Sequence, residues 1–143
     1  MKPAGAEPKR RKAKLPGLRL LLVDDHAEVR STTAALLRDR GHTVVEAANG
    51  AEALKALREG DCDYDLMISD YAMPNLSGTE FLREARAICT DVPALLITGY
   101  ADAEGISDRP AGVEILLKPF TEHALEAAIE RVCSAAPVAV SPQ

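Results

Sequence analysis

The chain reads as an α/β protein built on a doubly wound, five-stranded parallel sheet with helices on both faces. Three observations predict this. Short apolar runs alternate with segments of helical periodicity along nearly the whole sequence. The runs are apolar at successive positions, as in Leu20-Leu21-Leu22-Val23, the pattern of strands covered on both sides. Several of them stop abruptly at a charged or hydroxyl residue followed by a turn, and in an open α/β sheet ligands bind just outside the carboxyl ends of the strands.

Each element has a local reason. Leu18 to Val23 is the first strand and runs straight into Asp24-Asp25. From His26 to about Arg40, Val29, Thr33, Leu36 and Leu37 recur at helical spacing with Glu28, Arg30, Arg38 and Asp39 elsewhere on the wheel, and Gly41 supplies a left-handed stop. Thr43 to Ala47 is the second strand. Asn49-Gly50 opens a helix over 51–59 with Ala53, Leu54 and Leu57 inward, and Gly60 ends it. The third strand, about Leu66 to Ser69, leads to Asp70, a loop with Pro74 and Gly78, and a helix from Thr79 to Ile88 with Phe81, Leu82, Ala85 and Ile88 inward. Pro93 to Ile97 is the fourth strand, finishing at Thr98-Gly99. Residues 101–107 read as a short helix that Gly105 interrupts and Pro110 and Gly112 end. Val113 to Leu117 is the fifth strand, finishing at Lys118-Pro119. Thr121 caps a last helix to about Cys133, with Leu125, Ala128, Ile129 and Val132 on one face and Glu122, Glu126 and Glu130 on the other.

A chain of 143 residues suggests one domain, and its 47% apolar and 27% charged content leaves enough core to fold without staples. Five aromatic residues (Tyr64, Tyr71, Tyr100, Phe81 and Phe120) mean that the core is aliphatic. Cys62, Cys89 and Cys133 show no metal-like or redox spacing and read as small apolar fillers in a reducing compartment. No leader of the secretory type is visible, and Leu20 to Val23 is far too short to span a bilayer, so a cytoplasmic protein without membrane insertion is expected. Charge is uneven: residues 1–17 hold six basic side chains against Glu7, a net of +5, and the overall −5 leaves −10 on the remaining 126 residues. The basic, proline-bearing arm 1–17 should be disordered, 18–134 is the folded domain, and 135–143 is a flexible tail. The acidic body argues against a nucleic-acid groove, so nucleic acid is a partner only through the arm.

The strand ends carry the chemistry. The first gives Asp24 and Asp25, the third Asp70, the fourth Thr98 and the fifth Lys118, all on one edge of a parallel sheet. Singly, Asp25 could cap a helix, Thr98 could be a turn residue and Lys118 a solvated strand end. Together they are hard to explain that way. Three carboxylates repel unless a cation shares the site, and hard oxygen donors with room for water suit Mg²⁺. A lysine and a hydroxyl beside them could stabilise a phosphoryl group passing to Asp70, since carboxylates can form aspartyl-phosphate intermediates.

Val23-Asp24-Asp25, Asp70-Tyr71-Ala72-Met73-Pro74 with Gly78, Thr98-Gly99-Tyr100-Ala101 and Lys118-Pro119-Phe120 together resemble the signature of the receiver domain of two-component response regulators. The resemblance covers about residues 18–134. It implies a flavodoxin-like sheet of strand order 2-1-3-4-5. It also implies that Asp70 takes a phosphoryl group from a phosphohistidine on a sensor histidine kinase or histidine phosphotransfer protein. Asp25, Asp70 and the backbone carbonyl of Ala72 would ligate Mg²⁺ (or Mn²⁺ as a substitute), Asp24 would act largely through water, and Thr98 and Lys118 would bind phosphoryl oxygens. The Lys118–Pro119 bond would be cis.

Two departures stand out. Where many receivers carry Tyr or Phe three residues before the lysine, this chain has Ile115, and 101–108 is too broken for a regular helix. The usual aromatic switch is therefore expected to be absent. Ala72 offers no polar group to orient an attacking water and Tyr100 could shield the site, so a long-lived phosphate is expected. The chain reads as a stand-alone receiver that signals by contact with a downstream protein or serves in a phosphorelay, with self-phosphorylation and slow self-dephosphorylation its only activity. A phosphate sink, or a nucleic-acid-associated regulator using the arm, is the alternative, and a homodimer stays open. A phosphoester hydrolase wants an Asp-x-Asp pair after the first strand, which Asp24-Asp25-His26 lacks.

Overall fold

The fold was analysed in a computed structural model, which describes residues 17–99 and 112–135. The strands are β1 (Arg19–Val23), β2 (Thr43–Ala47), β3 (Leu66–Asp70), β4 (Ala94–Thr98) and β5 (Val113–Leu117). The helices are α1 (Ala27–Asp39), α2 (Gly50–Glu59), α3 (Gly78–Ile88) and α4 (Glu122–Ala135). All strand pairs are parallel and the sheet order is β2-β1-β3-β4-β5, the expected 2-1-3-4-5 arrangement. The expected segment 101–107, the arm and the tail lie outside the described residues, as does Tyr100.

β3 and β4 are buried at every position, as continuous apolar runs in the middle of a covered sheet must be. Alternate side chains then feed two cores. Leu21, Val23, Met67 and Leu96 meet Leu54, Leu57, Phe81 and Leu82 of α2 and α3. Leu20, Leu22, Ile68 and Leu95 meet Leu37 of α1 and Leu125 and Ile129 of α4 on the other face.

Helix entry follows from side-chain caps that satisfy otherwise orphaned backbone donors. Asn49 accepts from the Glu52 N–H at 2.8 Å while the Glu52 carboxylate accepts from the Ala48 N–H at 2.8 Å. Ser77 and Glu80 form a reciprocal capping box on α3, and Thr121 accepts from Ala124 at the start of α4. On α1 the cap is His26, whose Nδ1 accepts from Val29. Gly41 has φ +96°, as a left-handed stop requires.

Val29, one of the residues at helical spacing on α1, is 43% exposed, while Thr33, Ala34 and Leu37 are the residues that the helix turns inward. One expectation needs correction. Cys62 and Cys89 are not separate fillers: they form a disulfide with Cα atoms 5.6 Å apart, joining the turn after α2 to the C-cap of α3. Their separation of 27 residues leaves no local spacing to read. Cys133 is buried in the α1/α4 core, as a filler would be.

Candidate functional site at the carboxyl edge of the sheet

The topology brings the expected strand-end residues to one edge. β3 lies between β1 and β4, so Asp70 closes a central strand, next to the end of β1 and one residue short of Thr98 in register, since its partner is Ile97. Asp24 and Asp25 follow β1 directly. Among the described residues, Asp24, Asp25 and Asp70 form a cluster in which one carboxylate oxygen from each lies within 4.8 Å of the other two. Asp24 and Asp70 are buried and Asp25 is exposed.

Lys118 reaches across from the end of β5 and its Nζ stands 2.8 Å from Asp70 Oδ1. Its own N–H donates to the Thr98 carbonyl at 2.8 Å, which ties the end of β5 to the end of β4, and the Lys118–Pro119 bond is cis. Thr98 is buried, and its hydroxyl lies 3.4 Å from the Gly99 carbonyl, to which it donates.

Burial pushes the Asp70 carboxyl above its ordinary 3.8. The hydrogen bond and charge of Lys118 oppose that rise, and Asp24 and Asp25 add to it. Three carboxylates against one ammonium leave two negative charges uncompensated in this group. Hard oxygen donors with that excess fit one divalent cation of the Mg²⁺ type, with Asp25 open to solvent so that waters can complete the shell. Ala72, two residues beyond Asp70, is at the exposed start of the following loop.

Several residues that shape the site were not legible as such. The Asp24 carboxylate accepts from the His26 N–H at 2.9 Å, and Arg30 donates to the Asp24 carbonyl at 2.8 Å. These contacts fix the acidic turn, and Arg30 looks in sequence like any exposed helical arginine. Gly78 lets α3 start against the back of Asp70: a Cβ there would lie 2.7 Å from the Asp70 carbonyl oxygen and 2.6 Å from Leu96 Cδ1. Beside Asp70 and Lys118 lies a hollow of about 490 Å³ walled by Val29, Thr33, Ile97 and Phe120. Ile115 is half-buried against the α2/α3 core.

Known proteins resemble this chain in sequence and in fold. A family model described as "Response regulator receiver domain" matches residues 20–130. The chain is 35% identical over 120 residues to the chemotaxis protein CheY of Pseudomonas aeruginosa, covering 80% of this chain and 95% of that one. It is 38% identical over 104 residues to the sensor kinase CckA of Brucella abortus, covering 71% of this chain but only 11% of the kinase. It covers 49% of the transcriptional regulatory protein CpxR homolog of Haemophilus influenzae at 40% identity. The crystal structure of a receiver domain from the hybrid histidine kinase CckA superposes with a TM-score of 0.70 at 37% identity, covering 80% of this chain and 98% of that one. The fold, the acidic edge and the sequence match agree, and the chain belongs to the response regulator receiver domain family.

Proposed function

We infer that the domain accepts a phosphoryl group on Asp70 from a phosphohistidine of a histidine kinase or phosphotransfer protein, and that this state is read by a downstream protein. The observation that carries this is the contact between Asp70 Oδ1 and Lys118 Nζ at 2.8 Å beside a second and third carboxylate. A structural ion pair would gain nothing from two further negative charges. A site that receives a phosphoryl group on one carboxylate needs both the ammonium and the acidic pair.

Asp70 attacks phosphorus as the phosphohistidine P–N bond breaks and the imidazole leaves with that electron pair and takes up a proton, so the negative charge beside Lys118 comes to lie on the phosphoryl oxygens brought in with the group and no longer on the carboxylate. Lys118 follows that charge from the carboxylate to a phosphoryl oxygen, as a flexible point charge can. Thr98 turns its hydroxyl from the Gly99 carbonyl to a second oxygen. Asp25, Asp70 and the Ala72 carbonyl are the groups that would hold Mg²⁺, with Asp24 acting through water and His26 and Arg30 fixing its orientation. The cation, when bound, neutralises phosphoryl oxygens during transfer.

Receiver domains interact with histidine kinases and downstream targets. A cytoplasmic setting is the natural one for such a donor, and no described helix is long and apolar enough to cross a membrane. The test is phosphotransfer from a set of autophosphorylated histidine kinases, followed by intact mass. Parent protein with Mg²⁺ should gain one base-labile, hydroxylamine-sensitive phosphoryl group, as an acyl phosphate is, and Asp70→Asn or chelator should abolish it. Label appearing in Asp70→Asn at the parental rate would overturn the assignment.

A further inference from the structure

The second polar feature of the fold lies away from Asp70. Cys62 and Cys89 are joined where the turn after α2 meets the C-cap of α3. Asp61 and Cys62 both take left-handed backbone conformations, with φ of 56° and 59°. Such conformations disfavour residues with a Cβ, and two in succession persist only where the surroundings hold them. A cross-link at the second of them is such a hold.

The two sulfurs differ in access. Cys89 is 3% exposed, whereas Cys62 is partly open to solvent. Both line a hollow of about 260 Å³, together with Tyr64, Ile88 and Val92. That space admits a small aliphatic thiol, and the carboxylates of Asp63 and Asp91 on the same hollow disfavour an anionic one. Partly exposed disulfides are the labile ones, and exchange depends on which sulfur can be reached.

We propose that Cys62–Cys89 is a reversible disulfide, exchanged through Cys62 with a small neutral thiol/disulfide couple that enters this hollow. Closure starts when the Cys62 thiolate attacks a disulfide RS–SR, forming a Cys62–SR bond and releasing RS⁻. The Cys89 thiolate then attacks Cys62 Sγ and releases the second RS⁻. Two protein thiols are oxidised, one RS–SR is reduced to two RSH, and the two protons pass to the leaving thiolates. Opening is the reverse, beginning with RS⁻ at Cys62. In a reducing compartment the pair stands open and closes when the thiol pool is oxidised. The closed form clasps α2 to α3 at this end, while Leu76 lies over Gly50 where α2 begins.

The test equilibrates the full chain with graded ratios of 2-mercaptoethanol to its disulfide, then quenches, alkylates and maps peptides. Cys62 and Cys89 should lose alkylation together in one two-electron transition and regain it on return to thiol. In Cys89→Ser, a mixed disulfide should accumulate on Cys62. In Cys62→Ser, Cys89 should react about tenfold more slowly than Cys62 does, because burial denies access. Three results would overturn the proposal. They are both sulfurs staying alkylatable even in excess disulfide, a bond that stays closed in the native chain in excess thiol, or Cys89 reacting as fast as Cys62.

Discussion

The two edges of the sheet use the same kinds of side chain to opposite ends. At the amino edge every polar group named has a complementary partner. The Arg19 N–H donates to Asp65 Oδ2 at 2.8 Å, the Arg19 guanidinium donates to the Asp63 carbonyl at 2.7 Å, and it also sits 4.8 Å from the Tyr64 ring centroid. His42 Nδ1 accepts from the Leu18 N–H at 3.2 Å, so its Nε2 carries the proton and donates to Glu126 at 3.2 Å. At the carboxyl edge Asp24, Asp25 and Asp70 face one another, and among the described residues Lys118 is paired with one of them, Asp70. Buried polar groups stabilise when paired and cost stability when like charges are gathered. The amino edge therefore reads as a fastening, and the carboxyl edge as a site held ready for a cation and an anionic group.

That contrast can be broken from either side. The largest effect is expected from Asp25→Ala, which takes a ligand from the cation site while leaving the fold alone. Phosphotransfer at limiting Mg²⁺ should fall by about 100-fold or more, in line with losing one preorganised electrostatic contact. Gly78→Ala comes next, because its Cβ has backbone on one side and Leu96 on the other. Urea denaturation should show a loss of about 2–3 kcal/mol from overpacking. At the amino edge, Asp65→Ala leaves the Arg19 N–H without this acceptor and should cost about 1–3 kcal/mol. Phosphotransfer by the folded fraction should be unchanged, and a kinetic defect there would erase the division between the edges.

Smaller effects sharpen the comparison. Burial places the folded Asp70 pKa above 3.8, so the unfolded chain ionises first as pH rises. In chelator, stability should fall as pH climbs from 3.8 through the raised value, and the loss is complete above it. Asp70→Asn should remove that slope, matching the parent at low pH and melting higher near neutrality; equal melting at both pH values would show that the charge is not a burden. The least change is expected at Ile115. Structures with and without a phosphoryl mimic should show no large repacking around this half-buried side chain, which has no ring to turn inward.

Much of this molecule was determined locally. Runs such as Leu66–Ile68 and stripes such as Phe81, Leu82 and Ala85 mark buried strands and one-sided helices, because periodicity follows directly from which face meets the core. The five-residue β2 and β5 match their expected bounds, and the site residues stood out because each closes a strand. Tertiary structure alone decided the rest. Cys62 meets Cys89 across 27 residues and His42 meets Glu126 across 84, separations that leave no imprint on local pattern. Val29 fits the helical stripe of α1 yet faces the hollow beside Asp70, since the angle at which a helix crosses the sheet selects which flank of its stripe is covered. Arg30 and His26 secure Asp24 only because the first turn of α1 folds back on the end of β1. Sequence alone determined where the carboxylates end their strands, and the fold brought three of them within 4.8 Å and set a lysine against one.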